Sequence, residues 1–174
     1  MKQKYTSRNT SVNSSKVPAL FNKINWPVVN TKPFDVLDIG CGKYISHLRQ
    51  FCTVRGMTYL GYDPYNLTKQ ENDAILDSLK EKKAELVVCC NVLNVIKEKQ
   101  VRAEIIQKAY DNLKNYGFAY FSVYEGDRTG IGKESKKDCW QENRKIGDYL
   151  PEIKNIFDKT EKKSNMIISL KEKK

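Results

Sequence analysis

The sequence predicts an α/β fold, a doubly wound and mostly parallel sheet with helices on both faces. Three observations predict it. Short apolar runs of strand length alternate with longer amphipathic stretches from residue 34 onward. The run ELVVCC is continuously apolar after its first residue, as suits a parallel strand buried on both faces. Asp38, Gly40, Gly42, Asp63 and Asn91 all fall at the carboxyl ends of predicted strands, where such sheets bind their ligands.

Residues 1–16 are polar, rich in Ser, Thr and Asn and without an apolar period. They read as a flexible arm ahead of a single domain spanning 17–174. VPALFNKINW has the pattern of a short amphipathic helix, and Pro33 breaks the chain before the strand FDVLDIG. YISHLRQFCTVRG puts Ile45, Leu48 and Phe51 on one helical face, and Gly56 ends it. MTYLGYDP alternates as a strand and stops at Asp63-Pro64. NLTKQENDAILDSLKEKK carries a Thr cap, early acids and late lysines, which are helix-end signals. After ELVVCC, residues 98–115 repeat apolar side chains every four positions and predict a helix. Gly117 opens the aromatic strand GFAYFSVY. A glycine-bearing polar loop is expected from Glu125 to about Asp138, then a helix over 140–157 interrupted near Gly147 and Pro151. NMIISL is the last strand, and no internal repeat is found.

The chain has 174 residues, 40% hydrophobic and 30% charged, enough for one domain with its own core. No apolar run approaches the ~20 residues of a membrane helix. The N-terminus lacks the apolar segment of a secretory signal. Five cysteines, widely spaced apart from Cys89 and Cys90, do not form a disulfide framework. A cytoplasmic protein with free thiols and no membrane contact is expected. There is no C-x-x-C pair, and His47, the single histidine, falls on a predicted helix as a surface or packing residue. No metal is expected. The net charge of +10 favours acidic partners, nucleic acid above all. The same lysines, spread along the chain, also suit a plain solvated face.

VLDIGCGKY raises the question of a ligand. Glycines let the backbone turn sharply and approach a bound group closely, and the acid two residues before Gly40 adds negative charge beside that opening. A partly cationic ligand suits the pair. A dinucleotide fingerprint needs a third glycine where Ile45 stands. A phosphate loop is approached by GDRTGIGKES, which has one residue too many before Gly132-Lys133 and Glu134 where Ser or Thr should hold magnesium.

VLDIGCGKY resembles motif I of the class I S-adenosylmethionine-dependent methyltransferases, hydrophobic-hydrophobic-D-x-G-x-G. YLGYDPY resembles their second strand, and ELVVCCNVLNVI their fourth strand and following turn. The likeness covers roughly residues 34–124. NVLNVI is also similar to a small phage and bacterial group that includes methyltransferases associated with DNA phosphorothioation. The resemblance implies a Rossmann-like sheet and S-adenosylmethionine as cofactor. It implies Asp38 near the cofactor's amino end, Gly40 and Gly42 beside its nucleoside and methionine parts, and Asp63 on the ribose. Cys41, Pro64, Asn91 and Val92 accompany them in the same motifs. Asp63 lies 21 residues past Gly42, as one strand-turn-helix-strand passage requires; as an ordinary turn cap before Pro64 it would need no ligand. The family's third strand has no room between Asp63 and Leu86, so its region is shortened.

The acceptor is less marked. The [DNS]-P-P-[YFW] and Pro-Cys signatures of DNA base methylation are absent; the first of these positions reads CNVL. Glu125 and Asp127 are candidate bases near a strand end, and Asn91 is a candidate for orienting an acceptor or for capping a turn. Trp140, Gln141, Asn143 and Arg144 are candidates for binding a nucleic-acid substrate, with Trp140 equally suited to a core position. Target choice is expected from the arm, from the 125–145 segment or from a partner protein. A regulatory module that binds cofactor or nucleic acid without catalysis is the alternative.

Overall fold

The computed structural model describes residues 2–9, 16–26 and 34–172. The first apolar run forms β1 (Phe34–Ile39), followed by α1 (Ser46–Thr53), β2 (Met57–Tyr62), α2 (Lys69–Glu81), β3 (Ala84–Cys90), α3 (Lys99–Asn112) and β4 (Leu113–Ser122). A hairpin of β5 (Lys133–Lys136) and β6 (Cys139–Gln141) comes next. The short α4 (Leu150–Lys154), β7 (Lys159–Lys163) and β8 (Met166–Leu170) complete the described elements.

Six strands form one sheet in the order β2-β1-β3-β4-β8-β7. β2, β1, β3 and β4 are parallel, β8 is antiparallel to β4, and β7 is antiparallel to β8. The sheet is therefore mostly parallel, doubly wound and Rossmann-like. The chain leaves β1 toward β2 but leaves β3 toward β4. The two loops diverge, and a crevice opens between them at the carboxyl ends. α2 alone carries the chain from β2 to β3, so the third-strand region is indeed shortened.

Both sheet faces are buried. Leu37, Val87 and Phe121 pack with Leu79, Ile106 and Ile153 on one side. Val36, Val88 and Tyr120 pack with Leu48, Cys52, Leu20 and Phe21 on the other. Each fully buried side chain of this size contributes ~1.5–3 kcal/mol. α1, at 8 residues, is too short to persist alone, so burial of Leu48 and Cys52 rather than propensity holds it. α2 starts with the reciprocal cap anticipated at Thr68: Glu71 N donates to Thr68 Oγ1 at 3.2 Å, and Thr68 N donates to Glu71 Oε2 at 2.7 Å.

Five segments differ from the sequence reading. The polar loop expected from Glu125 to about Asp138 contains strand β5, because Lys133–Lys136 pairs with β6. Residues 16–26 form turns rather than a helix, although Leu20, Phe21 and Ile24 are buried as an amphipathic segment requires. The helix expected to reach 115 ends at Asn112, and β4 starts at once. Tyr116 takes a left-handed φ of 63° there, and a Cβ on Gly117 would lie 2.9 Å from the Glu85 carbonyl oxygen. The helix expected over 140–157 is instead β6, a 3-10 turn at Ile146–Tyr149 and α4, in whose first turn Pro151 fits without a break. β7 went unseen because KTEKK has no apolar alternation. It is a charged edge strand held by β8.

Candidate functional site

A cleft of about 680 Å³ opens at the carboxyl ends of the parallel strands. The turn after β1 makes one wall. Gly40 has φ 77°, and a Cβ there would sit 2.3 Å from Val92 Cγ2. Its missing side chain lets the turn after β1 meet the turn after β3, and Gly40 itself lines the cleft there. Gly42, at φ 73°, lines the cleft and has no atom within 4 Å of its Cβ position. The space beside this glycine is open.

Asp38 is the penultimate residue of β1 and is 2% exposed. Tyr59 donates its hydroxyl to Oδ2 at 2.7 Å, and Oδ1 is buried with no partner. Burial pushes the carboxyl up to about 7, the Tyr59 hydrogen bond opposes the shift, and the nearby Asp63 charge adds to it. Burial also raises the Cys41 thiol well above its ordinary range and the Cys90 thiol to about 11, so neither is a thiolate at neutral pH. Asp63 is fully engaged. Oδ1 accepts from Tyr65 N (2.9 Å) and Asn66 N (3.0 Å), and Oδ2 from Gly42 N (3.0 Å) and Asn66 Nδ2 (3.1 Å). These four donors use the four acceptor positions of a carboxylate. Asp63 therefore caps the turn at Pro64 and pins the glycine loop. Asn91 takes φ 59°, a conformation Asn tolerates, and its N–H donates to Ser122 O at 2.9 Å. Pro64, Asn91 and Val92 all line the cleft.

The expected acceptor residues mostly lie elsewhere. Glu125 accepts from Ile146 N at 2.8 Å and pairs with Arg128 Nε at 2.7 Å. Asp127 accepts from Thr129 Oγ1 at 2.7 Å, which holds its carboxyl below the usual range, and from Lys133 Nζ at 3.2 Å. Neither lines the cleft: Glu125 ties its loop to the turn at Ile146, and Asp127 closes a turn of its own loop. Trp140 is buried. It stacks on Tyr5 at 5.4 Å, lies under Lys97, and its Nε1 donates to Glu142 Oε2 at 2.6 Å. Asn143 is 2% exposed and donates to Ile131 O at 2.9 Å. Arg144 pairs with Glu152 and stacks over Tyr149. Of the four candidates only Gln141 reaches the cleft.

The arm also takes part. Thr6 N donates to Asp138 Oδ1 at 2.9 Å, and the Thr6 hydroxyl donates to the same carboxylate. Ser7 bridges the hairpin to the turn after β3: its hydroxyl donates to Val95 O and accepts from Trp140 N, both at 3.1 Å. Gln3, Thr6 and Ser7 thereby line one side of the cleft.

A family model described as a methyltransferase domain matches residues 5–164. The chain belongs to this methyltransferase family. No curated protein matches it. Its fold is that of a Mesorhizobium loti S-adenosylmethionine-dependent methyltransferase: TM-score 0.53 at 12% identity, covering 87% of this chain and 94% of the other. Human N-acetylserotonin methyltransferase, solved with S-adenosylmethionine, gives 0.53 at 15% identity over 80% of this chain and 48% of its own. The methyltransferase SibL gives 0.52 at 13% identity over 82% and 51%. The chain thus spans about half the length of the last two.

In this methyltransferase domain the residues missed from sequence are Tyr44, His47, Asn94 and Tyr124, all of which line the cleft. Asn94, the second asparagine of NVLNVI, is a polar residue inside an apolar run, the one local signal that could have found it. His47 is expected on a helix as a surface or packing residue, and nothing local marks it as a wall of the cleft. Among the described residues no cluster that could hold a metal ion is present, and no helix is long and apolar enough to cross a membrane.

Proposed function

We propose that this chain binds S-adenosylmethionine in the cleft and transfers its methyl group to an acceptor entering beside Tyr124 and Gln141. One observation carries the reading. Asp38 holds a buried, unpartnered oxygen at the root of a turn whose second glycine faces open space. That combination fits a ligand with a cationic amino end and a backbone-hugging body. When bound, the cofactor supplies an activated methyl group on a sulfonium. The chain's own work is then placement, and alignment of two reactants supplies a large share of such a rate. Asp38 would hold the amino end, and Gly42 would let the body pass. Asp63 would exchange its Asn66 amide for ribose hydroxyls, while Val92 offers an apolar wall.

The favoured acceptor is nucleic acid, supported by the net charge of +10 and by Lys16, Lys43 and Lys136 on the cleft. The likeness of NVLNVI to a phage and bacterial methyltransferase group points the same way. All five cysteines are unpaired, which suits a reducing compartment such as the cytoplasm. Calorimetry with S-adenosylmethionine and S-adenosylhomocysteine should show binding that Asp38→Ala weakens. Tritiated methyl from the labelled cofactor should enter the nucleic-acid fraction of a cell extract. Absence of heat with either ligand at millimolar concentration overturns the cofactor reading. Label in protein or small molecules moves the acceptor class, and no label anywhere favours a non-catalytic module.

A further inference from the structure

Trp140, the natural candidate for stacking a base, is spent on the arm. Two other aromatic rings at the cleft are not. Tyr44 is 45% and Tyr124 64% exposed, and both line the cleft. Among the described residues neither ring packs against another aromatic, whereas Tyr5 stacks on Trp140, and Trp26, Phe51 and Tyr110 make tilted or edge-to-face contacts.

Beside Tyr124 the hydrogen-bond directions are determined by a backbone carbonyl, which can only accept. Tyr124 O takes Gln141 Nε2 at 2.9 Å. Gln141 Oε1 is then the acceptor for Asn94 Nδ2 at 3.1 Å. Asn94 Oδ1 is left over, in a side chain 2% exposed, with no partner. A buried acceptor without a donor is unfavourable, and an N–H from a ligand relieves it.

We infer that this wall is a nucleobase subsite, in which Tyr124 offers a ring face for stacking and the Asn94 amide oxygen receives a base amino group, with Tyr44 a second exposed ring elsewhere on the same cleft. Stacking suits any base, because every base has a π face. The amide oxygen adds a preference for bases that carry an amino group. Lys43 and Lys136 on the same cleft suit the phosphates. The inference rests on the methyl-donor reading only for why a base should be presented here; base binding itself needs no cofactor.

The test is fluorescence anisotropy with labelled single-stranded oligonucleotides of about 12 nucleotides, one all cytosine and one all thymine, at a single salt concentration. The wild-type protein should bind the cytosine strand more tightly, since cytosine bears an amino group where thymine bears a carbonyl. Tyr124→Leu should weaken both strands about tenfold, and Tyr124→Phe should keep wild-type affinity, because the ring rather than bulk is needed. Asn94→Ala should erase the cytosine preference. The wild-type preference tests the same point without any variant, should Asn94→Ala fail to fold. Equal binding of the two strands by wild type, an unchanged Tyr124→Leu, or equal loss in the Leu and Phe variants overturns the subsite. So does absence of oligonucleotide binding. Calorimetry with the cofactor on the same sample decides the methyl-donor reading separately.

Discussion

Gly40 and Gly42 are indistinguishable in the pattern D-x-G-x-G, yet they do different work. A side chain on Gly40 meets Val92 Cγ2 at 2.3 Å, while one on Gly42 meets nothing within 4 Å. Gly40→Ala should cost about 2–4 kcal/mol from overpacking and a left-handed φ together, read as a lower urea midpoint. Val92→Ala should recover part of it. Gly42→Ala should cost only about 1–2 kcal/mol, and its main effect should be weaker cofactor binding by calorimetry. Asp38 carries a second residue-scale prediction. Its carboxyl is raised to about 7, against roughly 3.9 in an unfolded chain, so the folded state holds the proton more tightly. The stability this adds is fully present below about pH 4 and is lost as pH rises to about 7, on the order of 4 kcal/mol in all. Asp38→Asn, neutral throughout, should flatten that slope in urea midpoints measured from about pH 5 to about pH 7. Cofactor binding through an ionised Asp38 should strengthen over the same range.

At the scale of elements, the hairpin β5–β6 and the arm depend on each other. Neither has an apolar face large enough to be stable alone, and an isolated two-stranded hairpin is marginal. Asp138, at φ 60°, turns the hairpin and holds Thr6. Asp138→Ala should release the arm and cost about 1–2 kcal/mol. Trypsin should then cut after Arg8 much faster than in wild type, with the rest of the domain still protected. An unchanged cleavage rate would show that Ser7, through Val95 and Trp140, suffices to hold the segment. The same interdependence explains why the 140–157 helix does not form. Trp140 N and Glu142 N donate to Ser7 and to Asn94 O, partners that lie far away in sequence.

For the whole molecule, the buried Glu152 joins the last third of the chain to its middle. Arg102 on α3 donates Nε to Glu152 Oε2 at 2.8 Å and a terminal nitrogen to Oε1 at 3.0 Å, and Arg144 donates to Oε1 at 3.1 Å. Arg102 also donates to Ile96 O and Lys97 O at 2.9 Å, so the turn that leads into α3 is tied to α4 through one carboxylate. Glu152→Ala leaves a guanidinium 4% exposed without its counter-charge and should cost about 3–5 kcal/mol, seen as a large drop in thermal midpoint. The pair Glu152→Leu with Arg102→Leu should lose much less.

Each strand of the parallel half was legible because burial on both faces leaves a continuous or alternating apolar run, as in ELVVCC and MTYLGY. Asp38, Gly42, Asp63 and Asn91 were legible because the topology sends all four to one end of the sheet. The acceptor side was not legible from local pattern. Tyr124 and Gln141 are separated by a loop and a hairpin, and Asn94 lies 47 residues before Gln141. Trp140 and Arg144 carry the chemistry of a binding site, but tertiary contacts with Tyr5 and Glu152 consume it. Sequence by itself determined the order of strands and helices from β1 to β4 and the end of the sheet at which the cleft opens, since hydrophobic period and glycine placement are local properties. Tertiary structure alone decided which polar groups remain unsatisfied, Asp38 Oδ1 and Asn94 Oδ1 among them, because a hydrogen-bond vacancy exists only once every distant partner has been placed.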